Sequence, residues 1–132
     1  MGYVIAQYKL STICSSVWNP YYFKDIELLE RVQHRFTRLF SELRSLSYDD
    51  RLYQLGLWSL QERRNRTDLI ELFKLVKGFS STPWNVFFHK SENNVTRGHS
   101  WKLLKNLCHC EARLQFFSQR VINCWNLSLI HI

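Results

Sequence analysis

The clearest pattern in the chain is a helical repeat of apolar residues after Asp25. Apolar side chains recur every three or four positions along one side, at Leu29, Val32, Phe36, Leu39, Phe40 and Leu43. Acidic residues at the start of this stretch suit the positive end of a helix dipole. The pattern predicts an amphipathic helix whose apolar side is buried.

Polar positions of the same stretch add a second feature. Arg31, Arg35 and Arg38 are spaced at i, i+4 and i+7, so they fall on the side opposite the apolar stripe. A further basic cluster follows at Arg63, Arg64 and Arg66. Guanidinium groups in such sets suit nucleic-acid phosphates, but a solvated charged face gives the same pattern, and both interpretations stay open.

Two further helices are indicated by their ends. The segments Ser47–Gly56 and Ser59–Gly78 each begin with Ser followed three positions later by an acidic residue, and each ends at Gly. Serine and the acid can cap a helix start, and glycine permits the left-handed turn after its end. In the second segment the apolar stripe is Leu69, Leu72, Phe73 and Val76. We expect this stripe to need a partner outside the chain.

The remaining stretches are less regular. Residues 3–18 fit a helix, the turn-rich residues 79–97 a long surface loop, and residues 101–110 either strand or coil. A last helical face is formed by Leu114, Phe117, Val121, Cys124 and Trp125. Together the elements predict a mainly α fold, a small helical bundle with a long loop and a short extended segment.

Composition narrows the class of protein. With 132 residues, of which 45% are hydrophobic, the chain can bury one modest core. A net charge of +7 favours polyanionic partners. Four cysteines without a signal-peptide pattern suggest reduced thiols and an intracellular location, in cytoplasm or nucleus, and no apolar run suggests a membrane span.

Six blocks, in order, resemble the polypeptide that follows the palm in reverse transcriptases of non-LTR (LINE-type, jockey-like) retrotransposons. They are Cys14–Tyr22, Asp25–Phe40, Leu46–Leu52, Leu55–Leu60 with Arg63 and Arg64, Arg97–Ser100, and Phe116–Asn126. The resemblance implies a thumb-like helical region at residues 1–78, a loop at 79–100 and a post-thumb segment with a terminal helix at 101–126. It also implies that the arginine clusters grip a template–primer duplex, and that the missing palm and fingers are partners.

The last six residues stand apart from this resemblance. Leu127–Ile132 reads Leu-Ser-Leu-Ile-His-Ile, which resembles a translated sequencing-library adapter. We therefore expect residues 127–132 to be an adapter-derived tail of a truncated reading frame, and exclude them from the fold prediction.

Candidate catalytic groups are weak. Tyr48-Asp49-Asp50 invites comparison with the Asp-Asp turn of reverse transcriptases, but Ser47 stands where that turn has an aromatic residue. Two-metal chemistry also needs a further carboxylate from another strand, and a capped helix start explains the segment better. We assign no catalytic role to Asp49 or Asp50.

Metal and nucleophile sites are equally unsupported. Cys108, His109 and Cys110, with His99 and Cys124, lack the ligand spacing of structural zinc sites. No Ser/His/Asp or Cys/His set and no glycine-rich phosphate loop is recognisable. The sequence therefore predicts a non-enzyme with no metal and no cofactor.

Two other functions remain open at this point. The chain can be a stand-alone helical interaction module, in which exposed aromatic residues Trp84, Phe87, Phe88 and Trp101 hold a protein partner. It can also be a degenerate transcript without function.

Overall fold

The computed structural model describes residues 19–92 and 99–128 of the chain. In this part the helices are α1 (Phe23–Thr37), α2 (Tyr48–Leu55), α3 (Leu60–Val76), α4 (Glu111–Leu114) and α5 (Phe117–Leu127). Short 3₁₀ turns cover Ser41–Leu43 and Trp84–Val86. The predicted mainly α fold is confirmed. The helix predicted for residues 3–18 lies outside the described residues.

The chain divides into two compact units, Met1–Arg66 and Thr67–Ile132. We call them the N-terminal and the C-terminal unit and describe each by itself. None of the helices in the described ranges is both long and apolar enough to cross a membrane.

Serine and glycine set the helix ends as the sequence predicts. In α2, the hydroxyl of Ser47 accepts a hydrogen bond from the Asp50 backbone N–H at 3.2 Å, and Ser59 serves Glu62 in the same way at the start of α3. Gly56 follows α2 with a φ of 63°, and the N–H of Leu57 donates back to the Leu52 carbonyl at 2.8 Å. This left-handed turn is a conformation that glycine adopts without strain.

The prediction for the buried side of α1 is wrong at two positions. Val32 is 59% exposed and Leu39 is 73% exposed, whereas the buried residues of the helix are Gln33 and Thr37. Gln33 donates to the Trp58 carbonyl at 2.8 Å, so its amide is satisfied inside the unit. Leu39 leaves the stripe because α1 has already ended at Thr37. The most buried positions on the inner side of α1 are therefore held by hydrogen bonds rather than by apolar contact.

The C-terminal unit has a conventional apolar core. Its fully or nearly fully buried members are Leu72, Val76, Phe88, Leu103, Val121, Ile122 and Trp125. Leu69 and Phe73 pack against this core. The expectation that the α3 stripe lacks a partner within the chain is therefore wrong, because these residues are part of the core of their own unit.

A short stretch of paired, extended backbone joins the predicted loop, residues 79–97, to the irregular segment, residues 101–110. Lys90 and Leu103 form an antiparallel bridge, flanked by hydrogen bonds from Ser91 N–H to the Lys102 carbonyl at 2.8 Å and from Leu104 N–H to the His89 carbonyl at 2.7 Å. The Asn126 side chain also bonds both backbone groups of Leu103, at 2.9 and 2.8 Å. The extended alternative for residues 101–110 is thus correct at Leu103.

Two predictions about side-chain exposure in this unit are wrong. Phe88, expected to be exposed for a partner, is only 2% exposed, and Trp84 packs edge-on against Trp101 with ring centres 5.7 Å apart. Cys124, expected on the buried face of α5, is exposed, while Ile122 is buried instead. The predicted aromatic docking surface is therefore largely core.

Candidate nucleic-acid interface

Three predicted arginines form one exposed surface on α1. Arg31 and Arg35 lie on the helix and Arg38 caps its end, and all three are exposed. They lie on the side of the helix opposite Gln33 and Thr37, as their spacing dictates. Among the described residues, no carboxylate forms an ion pair with any of them. We call this set the α1 arginine face.

The second predicted cluster is not a uniform surface. Arg66 is exposed, with its guanidinium 5.2 Å from the centre of the Trp58 ring. Arg63 is half-buried, and Arg64 is only 7% exposed and donates to the Gln61 side chain at 3.0 Å. A guanidinium buried to this extent is largely shielded from a phosphate in solution. Of the three, Arg66 is the residue most accessible to a phosphate.

Arg44 is a basic residue that the helical spacing does not reveal. It is exposed, and its Nε lies 3.4 Å from the Arg38 carbonyl oxygen. The 3₁₀ turn at Ser41–Leu43 brings it back to the end of α1 after the helix has stopped. Arg44 therefore extends the α1 arginine face, and only the three-dimensional turn shows this.

Beneath this surface, Glu30 fastens α1 to the two following helices. Its carboxylate accepts a hydrogen bond from the Tyr48 hydroxyl at 2.6 Å and from the Leu60 N–H at 3.1 Å. Burial, followed by the hydrogen bond and charge of Glu30, raises the pKa of Tyr48. Because its carboxylate bonds a residue of α2 and a residue of α3, Glu30 is a structural acceptor that fixes the position of α1.

The N-terminal unit contains a buried guanidinium. Arg51 is 2% exposed and donates to the Thr37 hydroxyl at 3.2 Å and to the Leu46 carbonyl at 2.8 Å. Its Nη2 lies 3.2 Å from His34 Nε2, and because a guanidinium only donates, that imidazole nitrogen accepts. Within the described ranges, Arg51 has no carboxylate partner. Among the described residues, its charge is stabilised by these neutral acceptors and by the Tyr48 ring, whose centre is 5.9 Å away.

The charge of Arg51 also acts on His34. Burial lowers the pKa of His34, and the nearby positive charges of Arg38 and Arg51 lower it further. The His34 ring packs against Tyr48 with ring centres 4.8 Å apart. A neutral imidazole with its proton on Nδ1 fits this setting.

An open groove of about 270 Å³ lies beside these residues. It is lined by Glu27, Glu30, Arg31, His34 and Tyr48. Two carboxylates in the lining make it a mixed surface rather than an anion pocket. Arg31 therefore borders acidic groups on one side, and the groove adds no phosphate site of its own.

Two other charged residues, Asp50 and Arg120, have structural positions. The Asp50 carboxylate accepts a hydrogen bond from Ser47, the N-cap of α2, and Arg120 forms a two-pronged ion pair with the buried Asp68 at 2.7 and 3.0 Å. Among the described residues, no group of three or more His, Cys, Asp and Glu side chains is placed to hold a metal ion. Arg97 lies outside the described residues, and Lys105 and Arg113 are exposed. Of the described basic residues near the chain end, Arg120 thus has a structural role, and Lys105 and Arg113 lie on the surface.

Comparison with known proteins gives no match. No family model matches the chain, and neither a curated protein nor a solved structure is significantly similar to it.

Proposed function

We propose that the chain is a catalytically incomplete part of an RNA-directed DNA polymerase of a non-LTR retrotransposon, and that it holds template–primer duplex without reading its sequence. The observation that carries the binding proposal is the α1 arginine face, which is exposed and forms no ion pairs with described carboxylates. The six residue blocks support the family assignment.

Phosphate contact follows from the chemistry of this surface. Arginine forks match phosphate oxygens in pairs, and such contacts position a protein on a duplex without sequence information. The N-terminal unit carries 10 Lys and Arg against 7 Asp and Glu, a surplus of three positive charges. Arg44 extends this surface and Arg66 is a separate exposed cation, whereas the buried Arg64 is left out of the proposed contacts.

Polymerisation itself belongs to the proposed missing portion. In a complete enzyme of this kind, palm carboxylates would hold two metal ions for nucleotidyl transfer. Here the Asp50 carboxylate accepts a hydrogen bond from the Ser47 hydroxyl, and Glu30 is an acceptor between helices. The proposed role of this chain is to keep the duplex in register for that chemistry.

A second candidate function is docking of a protein partner. Leu28 and Val32 are 53% and 59% exposed, and their i, i+4 spacing places them on one flank of α1. An exposed apolar flank suits a protein surface, such as the proposed palm or fingers. This candidate differs from phosphate binding in its response to salt, since apolar contact does not weaken as salt rises.

The decisive experiment is a salt titration of nucleic-acid binding. The full chain and the triple variant Arg31→Gln, Arg35→Gln, Arg38→Gln are compared on a labelled DNA duplex by fluorescence anisotropy. We expect weaker binding, and a salt slope of log K reduced by roughly 0.9 for each lost contact. Binding should stay independent of duplex sequence.

The matched control removes the same charge elsewhere. Lys77→Gln, Lys105→Gln and Arg113→Gln, all at exposed positions of the C-terminal unit, also lower the net charge by three. The control should keep most of the wild-type salt slope. Equal losses in both triple variants would mean that overall charge, not the α1 arginine face, determines binding, and an unchanged slope in the first variant would refute the contacts.

A further inference from the structure

Trp58 presents an indole ring from a fixed backbone. Trp58 is 51% exposed. Its backbone carbonyl accepts a hydrogen bond from the Gln33 side chain at 2.8 Å. Two residues later, the Leu60 N–H donates to the Glu30 carboxylate. Two side chains of α1 thus hold the segment that carries Trp58, while the ring itself remains half open to solvent.

A cation lies against this ring. The guanidinium of the exposed Arg66 is 5.2 Å from the centre of the Trp58 ring. The guanidinium lies over one face of the indole, which leaves the other face for a base. An aromatic ring and an arginine are the groups with which proteins hold single-stranded nucleic acid, because a base stacks on the ring and a phosphate meets the cation. The N-terminal unit has more Lys and Arg than Asp and Glu. This positive net charge favours an anionic nucleic acid over a protein surface that has few acidic residues.

We propose that Trp58 and Arg66 form a contact for one unpaired nucleotide, with the indole stacking on the base and the guanidinium on its phosphate. This inference rests on the proposed function, and it adds single-stranded nucleic acid to the proposed duplex ligand. It assigns Trp58 a binding role that a charged surface alone does not require.

The chain offers a control for an exposed aromatic ring. Tyr53, on α2 of the same unit, is 85% exposed. If any exposed ring can stack on a base, Tyr53→Leu should reduce binding as Trp58→Leu does. If the pairing with Arg66 matters, only the Trp58 change should do so.

The test compares two single-stranded probes with the same phosphates. Oligothymidylate and an abasic oligomer of equal length are titrated with the full chain by fluorescence anisotropy. We expect the wild type to prefer oligothymidylate, and Trp58→Leu to lower affinity for it by about 5- to 100-fold while sparing the abasic probe. Trp58→Phe should restore part of the preference, since phenylalanine keeps an aromatic face.

The outcomes separate the two proposals. Equal binding of both probes by the wild type would overturn base stacking but leave phosphate binding intact, and would favour a protein surface at Trp58. A Trp58→Leu loss that is equal on both probes would also overturn stacking, because it would reflect a disturbed fold or lost phosphate contact. Absence of binding to both probes and to duplex would overturn the proposed function as well.

Discussion

At the scale of single residues, the N-terminal unit depends on a buried charge that no described carboxylate neutralises. Arg51 uses the Thr37 hydroxyl, the Leu46 carbonyl and His34 Nε2 as acceptors. Hydrogen bonds to a charged group are stronger than neutral ones, at about 1.5–3 kcal/mol each. The arrangement works only while the imidazole remains an acceptor, which makes His34 sensitive to pH.

We expect the stability of the protein to fall below neutral pH through His34. Its pKa is lowered in the folded state from 6.5, so the unfolded chain binds the proton more readily. The contribution is therefore complete above pH 6.5 and is lost as the pH falls through the lowered pKa. Urea unfolding at about pH 7.5 and about pH 5.5 should show a larger loss for the wild type than for His34→Gln.

The control for this prediction is a histidine change at another site. His89 is exposed in the C-terminal unit, and His89→Gln measures the effect of removing an imidazole that does not contact Arg51. If the wild type and His34→Gln lose stability in parallel as the pH falls, the Arg51–His34 contact does not govern the pH response.

At the scale of helices, local signals are predicted well and long-range partners are not. Serine caps and terminal glycines act within four residues, so the ends of α2 and α3 follow from the sequence. The buried position of Gln33 depends on a carbonyl 25 residues away. Apolar periodicity carries no information about that acceptor, and it therefore misplaced Val32.

The same limit applies to the candidate binding site. The α1 arginine face follows from helical spacing, because i, i+4 and i+7 positions share a side of any helix. Burial of Arg64 and the return of Arg44 to the end of α1 depend on tertiary contacts and on a 3₁₀ turn. A linear pattern treats these arginines alike, although the fold gives them different exposures.

In the C-terminal unit, one ion pair should contribute strongly to stability. Asp68 on α3 and Arg120 on α5 have side chains that are only 5% and 12% exposed, and Arg120 also donates to the Gln115 carbonyl. Removing one partner leaves the other charge buried, so Asp68→Ala should cost about 3–5 kcal/mol. Chemical denaturation of the single variants and of Asp68→Leu with Arg120→Met provides the measurement.

The exposed pair Lys74–Glu71 is the matched control. It lies on the same helix as Asp68 but is 48% and 41% exposed, so Glu71→Ala should cost less than about 1 kcal/mol. The double apolar variant should be more stable than Asp68→Ala, because it leaves no isolated buried charge. Similar costs for Asp68→Ala and Glu71→Ala would refute the assigned importance of burial.

At the scale of the whole molecule, the two units differ in the kind of residue that they bury. The C-terminal unit buries an apolar cluster around Trp125, whereas the described buried residues of the N-terminal unit are mainly polar, namely Gln33, Thr37, Arg51 and Arg64 beside the apolar Leu52. Neither interior presents a set of free carboxylates among the described residues that suits two metal ions.

We expect the purified chain to incorporate no nucleotides on a primed RNA template with Mg²⁺ or Mn²⁺. Asp49 lies exposed in the first turn of α2, Asp50 accepts a hydrogen bond from Ser47 at 2.6 Å, and the described residues bring no group of three or more His, Cys, Asp and Glu side chains together for a metal ion. Primer extension followed on a gel provides the measurement. Extension that disappears in the variant Asp49→Asn, Asp50→Asn would contradict this prediction and would assign these residues a catalytic role.

The polar inner side of α1 restricts how that helix can dock. Glu30 and Gln33 bond the segment at the start of α3, at Leu60 and Trp58, and Thr37 bonds Arg51 on α2. An apolar stripe tolerates sliding, since any apolar neighbour serves. A shift of α1 by one turn, about 5.4 Å, would separate all three groups from their partners at once, at about 1–3 kcal/mol for each buried group left unsatisfied. The helix is thereby confined to one register, and with it the positions of the arginines on its outer side.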